Sequence, residues 1–174
     1  MTPMAPPRPN LPTGPPNPLL PVSHQSRIPL TADLAAAAAA RAVVEHAIRV
    51  WRVPVDAEVA ILLTSELVAN AVTHGTPAPG AFVLLLVTCD TARLRVDVHD
   101  GSRDLPVLAT ALLDGSQAEA ETGRGLLLVT TLSAEWGFYR TSGGKAVYFT
   151  LELQRDAQQA VMGDPDGLGA RSVS

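Results

Sequence analysis

The chain has a single cysteine, Cys89, in 174 residues. One thiol excludes an intramolecular disulfide framework and a multi-cysteine metal site. It stands in an apolar run, where a buried and inert thiol is expected. An excess of positive charge is missing too. The net charge of -4 argues against a dedicated nucleic-acid binder, which carries a basic patch. No stretch approaches the roughly 20 apolar residues of a membrane-spanning helix. Prolines interrupt the N-terminus throughout, so it lacks the apolar core of a signal peptide. No internal repeat is visible. These absences leave a cytoplasmic protein with no direct nucleic-acid or membrane partner, and the length favours one domain with a real core.

What is present divides the chain into three. Met1 to Gln25 is a proline-rich tail that cannot pack a core and is expected to be disordered or polyproline-like. From Gln154 onward the sequence turns polar and glycine-rich, the mark of a frayed tail. Between them, Ser26 to Leu153 reads as the domain. Ser26 to Leu30 suits a short edge strand, the only place where its proline is acceptable. Thr31 is the expected N-cap, with Asp33 in the first turn, of an alanine-rich helix running to about Trp51. Leu34, Ala38, Val44, Ala47 and Ile48 are its expected buried side, and Arg41, Glu45 and Arg49 its solvated side. Pro54 breaks the chain. A second helix follows from about Asp56 to His74, with Gly75 as its C′ residue and Pro77, Pro79 and Gly80 in the next turn. Phe82 to Thr88 is an apolar run short enough for a buried strand. Leu94 to His99 alternates as a half-buried strand, paired to it across the turn from Asp90 to Arg93. Arg103 to about Thr122 shows no clear period, a length of connection that is usually a lid or a disordered segment. Thr122 to Leu126 closes it and opens an apolar helix, Leu127 to Leu132. Two last strands, Glu135 to Arg140 and Ala146 to Leu153, are joined by Ser142-Gly143-Gly144.

The chain is organised around Leu62 to Gly75, LLTSELVANAVTHG. Val59, Leu62, Leu63, Leu67, Val68 and Ala71 recur there at helical spacing. Glu66, Asn70 and His74 follow one another at intervals of four, about 400° of rotation, which sets them within roughly 80° on one face. A carboxylate, an amide and an imidazole beside an apolar stripe cost folding energy unless something pairs with them. Alone, the row is also compatible with a solvated edge on an amphipathic helix. Two further features follow in fixed order: Asp100-Gly101 at a strand end, and Gly123-Arg124-Gly125 at a helix start. Each has a chemical use with one ligand, a nucleoside triphosphate. Free N–H groups at a glycine-led helix start suit phosphate oxygens. An aspartate at a strand end can accept from the exocyclic amine of adenine. A side-chain amide oxygen can ligate Mg²⁺, which takes few protein ligands beside phosphate and water. A carboxylate one turn away can orient or deprotonate a nucleophile.

With these residues the sequence resembles the gyrase, Hsp90, histidine-kinase and MutL ATPase superfamily, and within it the bacterial anti-sigma-factor serine kinases. SELVANAVTHG resembles their N box, VDVHDGS their first glycine box and TGRGLLLV their second. The resemblance covers about Ser26 to Leu153. It implies an α+β fold, a two-layer α/β sandwich with helices on one face of a mixed, mostly antiparallel sheet. It implies ATP and Mg²⁺ held between the N-box helix and the lid. Carried over residue by residue, it makes Glu66 the general base, Asn70 the Mg²⁺ ligand and Asp100 the adenine reader. Gly101 then lies against the base, and Gly123, Arg124, Gly125 and Leu126 cradle the phosphates. The sequence departs from the pattern in two places. It has Asp-Gly-Ser where many relatives have Asp-x-Gly-x-Gly, and Ala146-Val147 where many place a threonine near the adenine. Lys145 is read as facing solvent, His74 as capping its helix, and Asp97 and His99 as ordinary positions of their strand.

The function implied is an ATP-dependent protein serine/threonine kinase that binds a sigma factor and phosphorylates a small antagonist protein. A homodimer is implied as well. The alternative is an ATP-gated binding module that signals by occupancy without phosphotransfer, through lid ordering around the nucleotide.

Overall fold

A computed structural model describes residues 22–75, 80–104 and 121–154; within the last span the side chains of 121–124 and 126 are not described. The proline-rich tail up to residue 21, most of the expected lid and the tail from residue 155 lie outside the described residues.

The first strand, β1 (His24–Thr31), is longer than its sequence pattern predicts, because its antiparallel ladder with the next strand runs on to Thr31↔Phe82. That pairing takes Thr31 out of the cap position. Asp33 instead accepts from the Ala35 N–H at 2.8 Å in a short turn, and α1 (Ala36–Trp51) starts with no side-chain cap. The helix is therefore phased differently from expectation. Its buried stripe is Ala36, Ala40, Val44, Ala47 and Ile48, while Leu34 lies before the helix and is 99% exposed. Ala38 is exposed as well. Arg41, Glu45 and Arg49 face outward as predicted. The helix ends at Arg52 in a left-handed conformation (φ 53°).

In α2 (Ala57–His74) the Asp56 carboxylate accepts from the Val59 N–H at 3.1 Å, an N-cap of the kind that stabilises a helix by about 1 kcal/mol. Ala60, Leu63, Thr64, Leu67, Val68 and Ala71 form the buried side. Leu62, predicted among them, is on the outside at 39% exposure. Thr64 takes an interior place without an unpaired hydroxyl, since its Oγ1 donates to the Ala60 carbonyl at 2.7 Å. Gly75 follows at φ -66°, not the left-handed cap expected of it. The need for glycine there is space, because a Cβ would overlap the Ala71 carbonyl.

The remaining elements are β2 (Phe82–Cys89), β3 (Arg93–Asp100), α3 (Glu121–Leu132), β4 (Glu135–Thr141) and β5 (Gly144–Glu152). The sheet order is β1-β2-β3-β5-β4, and all four pairings are antiparallel. The helices cover one face. Val83, Leu85 and Val87, Leu94, Val96 and Val98, and Val147, Phe149 and Leu151 point into that layer and join one core with the helical stripes. Each large side chain fully buried there, such as Phe149 or Leu63, contributes about 1.5–3 kcal/mol over its exposed state. Cys89 is buried at the far end of β2, and burial pushes its thiol above the ordinary value, as an inert thiol requires.

The other sheet face holds a polar cluster that the alternation of β3 does not announce. Asp97 is completely buried. Arg95 grips it with Nε at 2.8 Å and Nη2 at 2.7 Å, and the Tyr139 hydroxyl donates to it at 3.1 Å. The Arg95 guanidinium lies 3.7 Å from the centre of the Tyr148 ring, and the Tyr148 hydroxyl donates to Glu135 at 3.1 Å. Gly137 permits this layering, since a Cβ there would come within 2.8 Å of the Tyr148 hydroxyl.

Candidate functional site

The predicted positions are arranged along α2, which acts as their ruler. Glu66 and Asn70 lie one turn apart, and Gly75 ends the helix about 13 Å beyond Glu66. At the Gly75 end stands β3. A Cβ on Gly75 would lie 3.8 Å from the Asp100 Cβ, so the strand end and the helix end are in contact. At the Glu66 end stands α3. A Cβ on Gly125 would overlap the Glu66 carboxylate, so the Glu66 side chain lies directly against the backbone of α3 at this glycine. The structure thus sets Asp100 and Gly101 at the Gly75 end of α2, and Gly125 against Glu66 further back along the same helix.

Asp100 is buried, and its Oδ1 accepts from the Ser102 N–H at 2.8 Å. This turn is extended by Ser102, whose Oγ accepts from the Asp104 N–H at 3.1 Å. Asp-Gly-Ser therefore builds two consecutive side-chain-to-backbone turns where the strand ends. Gly144 packs against the Asp100 carbonyl and against Gly101, at 2.8 Å from the Gly101 Cα for a Cβ placed on it.

Lys145 corrects the expectation that it faces solvent. It is 7% exposed, and its Nζ donates to Asp100 Oδ1 at 2.9 Å. The reason is register. Lys145 opposes Asp100 across β3 and β5, in phase with Val147, Phe149 and Leu151 on the helix-covered face. That phase was readable from the apolar alternation of β5. Its partner, 45 residues away, was not.

A cleft of about 1080 Å³ opens at this end, with Ala71, Gly75, Asp100, Gly101, His99 and Ser142 among its walls. Burial holds the His99 imidazole below its ordinary value, against the opposing pull of Asp97. Glu66 and Asn70 are not among the walls. They lie about two and a half and one and a half turns before Gly75 along α2, and Glu66 faces α3 at Gly125. The Asn70 Nδ2 is buried without a hydrogen-bond partner among the described residues. An unpaired buried amide costs about 1–3 kcal/mol. Turned by half a rotation it presents its oxygen to the same space, a suitable donor for a hard cation. The buried amide, with the Glu66 carboxylate one turn before it on the same helix, fits a hard cation at that place.

The second glycine box departs from its predicted place. Thr122 to Leu126 do not precede the helix but form part of α3, which begins at Glu121. The free N–H groups of a helix are those of its first turn. Gly123 and Arg124 are within that turn, and Gly125 and Leu126 follow directly. The side chains of Arg124 and Leu126 lie outside the described ones. His74 is the last residue of α2 and exposed. Arg41 donates to the Ser65 hydroxyl at 3.5 Å, a contact between α1 and α2.

Three comparisons bear on this arrangement. No curated protein matches the chain. Among solved structures, the crystal structure of the RsbU and RsbW domains of Rv1364c from Mycobacterium tuberculosis superposes with a TM-score of 0.56 at 20% identity. The match covers 76% of this chain and 33% of that one, so the chain spans about a third of its length and the likeness is one of fold. The family model of the histidine kinase-like ATPase domain matches residues 30–151, from β1 to β5. The chain belongs to the histidine kinase-like ATPase family.

Proposed function

We propose that this protein is an ATP-dependent serine/threonine kinase of the anti-sigma-factor type, which binds a sigma factor and phosphorylates a small antagonist protein. The observations that carry the reading are a carboxylate on α2 against Gly125, an amide one turn on with no hydrogen-bond partner among the described residues, and a buried carboxylate at the cleft where β3 ends. Asp100 reads the adenine amine, with Gly101 against the base. The free N–H groups of the first turn of α3, at Gly123 and Arg124, face the phosphates, with Gly125 and Leu126 directly behind them. Asn70 would hold Mg²⁺ through its amide oxygen, and the chemistry such an ion would supply is neutralisation of phosphate charge. Glu66 takes the proton of the acceptor hydroxyl. The hydroxyl oxygen then bonds to the γ-phosphorus, and the bond from that phosphorus to the ADP oxygen breaks. A homodimer acting in the cytoplasm belongs to the same reading.

One observation favours a second reading. Among the described residues, Asp100 lines the cleft and Glu66 does not. An ATP-gated binding module that transfers no phosphate needs only the Asp100 end. The test is capture of partners from lysate of the source organism, followed by Mg²⁺ and γ-labelled ATP. Label on a co-purified protein, lost in Glu66→Gln, is expected of the kinase. Partners that are held or released according to ATP, without label and unchanged in Glu66→Gln, identify the binding module.

A further inference from the structure

Asp100 and Lys145 face each other from neighbouring strands, on the side of the sheet that carries the core. Their side chains are 5% and 9% exposed. A carboxylate here has an unfavourable neighbour, because the C-terminal end of α2, with its exposed carbonyl dipoles, lies alongside. It has a conformational problem as well. Torsion about the carboxylate bond is broad and two-fold, so an aspartate held by one hydrogen bond does not present a fixed oxygen.

The hydrogen bonds of the site answer both. Asp100 Oδ1 takes the Ser102 N–H from its own turn and the Lys145 ammonium from β5. Two donors converge on one oxygen from different directions, which fixes the carboxylate plane. Oδ2 makes no hydrogen bond among the described residues, and Asp100 is a wall of the cleft. Within hydrogen-bond reach of Lys145 Nζ, the described residues supply only Asp100.

We propose that Lys145 is a positioning residue for base selection. By engaging Asp100 Oδ1 it leaves Oδ2 as a single, oriented acceptor for the exocyclic 6-amine of a purine. Guanine offers a carbonyl oxygen at that position, which a fixed carboxylate oxygen repels. This inference rests on the reading of Asp100 as the adenine contact.

The experiment compares binding of ATP with that of purine riboside triphosphate, which lacks the 6-amine, by calorimetry on the full chain with Mg²⁺. The ratio of the two affinities isolates the amine contact. Lys145→Met is expected to reduce that ratio about tenfold, the worth of one charge-assisted hydrogen bond. Affinity for the amine-free nucleotide is expected to change less than about twofold, and Lys145→Arg to recover part of the ratio. Equal weakening of both nucleotides, or an unchanged ratio, overturns the proposal and makes the pair merely structural. A cycle guards against misfolding of the single variant. Lys145→Met added to Asp100→Asn removes the buried cation's partner along with the cation. That addition should leave the ratio where Asp100→Asn alone sets it; a further fall shows that Lys145 acts by another route and overturns the proposal. Wild-type protein that binds neither nucleotide overturns the functional reading itself, a result separate from any change in the ratio.

Discussion

Asp97 and Asp100 stand on the same strand, β3, and point to opposite faces of the sheet. Both are buried and both are paired with a cation. At Asp97 the pairing is closed: Arg95 engages both oxygens and Tyr139 adds a third donor, all from the sheet itself. At Asp100 the pairing is one-sided: both donors fall on Oδ1, and a cleft adjoins. A buried aspartate with every oxygen occupied holds strands together. One with an oxygen to spare at a cleft is equipped to meet a ligand. Burial and charge pairing alone do not separate the two; the count of remaining acceptor sites does.

The comparison is broken most directly at Asp97. Asp97→Ala leaves the Arg95 cation in the sheet without its partner, and breaking a buried pair costs about 3–5 kcal/mol. Urea unfolding should show that loss, with nucleotide selectivity unchanged in the protein that remains folded. An equal loss of selectivity would mean that the two aspartates are not separable.

Asp100→Asn should act the other way round. Removing the charge from the acceptor is expected to lower ATP affinity about 10–100-fold, measured by calorimetry, as a charge-assisted hydrogen bond of about 1.5–3 kcal/mol requires. Its effect on the unfolding midpoint should be smaller than that of Asp97→Ala.

Tyr139→Phe is the mildest change, about 1 kcal/mol for one hydrogen bond. It sharpens the contrast through pH. Burial, and then the neighbouring Asp97 charge, push the Tyr139 phenol above its ordinary value of 10; burial, and then Glu135, do the same for Tyr148. The unfolded chain therefore loses these protons first, so the stability they provide is complete below about pH 10 and falls as pH rises beyond it. Unfolding curves taken above about pH 10 should fall less steeply in Tyr139→Phe than in the wild type. Parallel curves would remove Tyr139 from the buried cluster's titration.

Much of this arrangement was legible in the chain. Glu66 and Asn70 share a helix face because four residues is nearly one turn, and Asp100-Gly101 ends a strand because the alternation stops there. Errors arose where a distant partner intervened. Thr31 has the chemistry of a helix cap, yet pairing with Phe82 drew it into the sheet. Leu62 has the spacing of a core residue, yet the helix turned Ala60 and Thr64 inward instead. Gly125 was expected before its helix and lies within it, against the Glu66 side chain.

By itself the sequence determined the periods and the order of the elements, since helix and strand repeats are properties of residues close along the chain. It determined, too, which side chains share one element's face. Only the tertiary structure decided which charge meets which. Lys145 reaches Asp100 because β5 enters the sheet between β3 and β4, and Asp97 is sealed because the same insertion brings Tyr148 over Arg95, with Tyr139 of β4 beyond it. Strand order and register are set by the sum of many long-range contacts, and no local spacing encodes them.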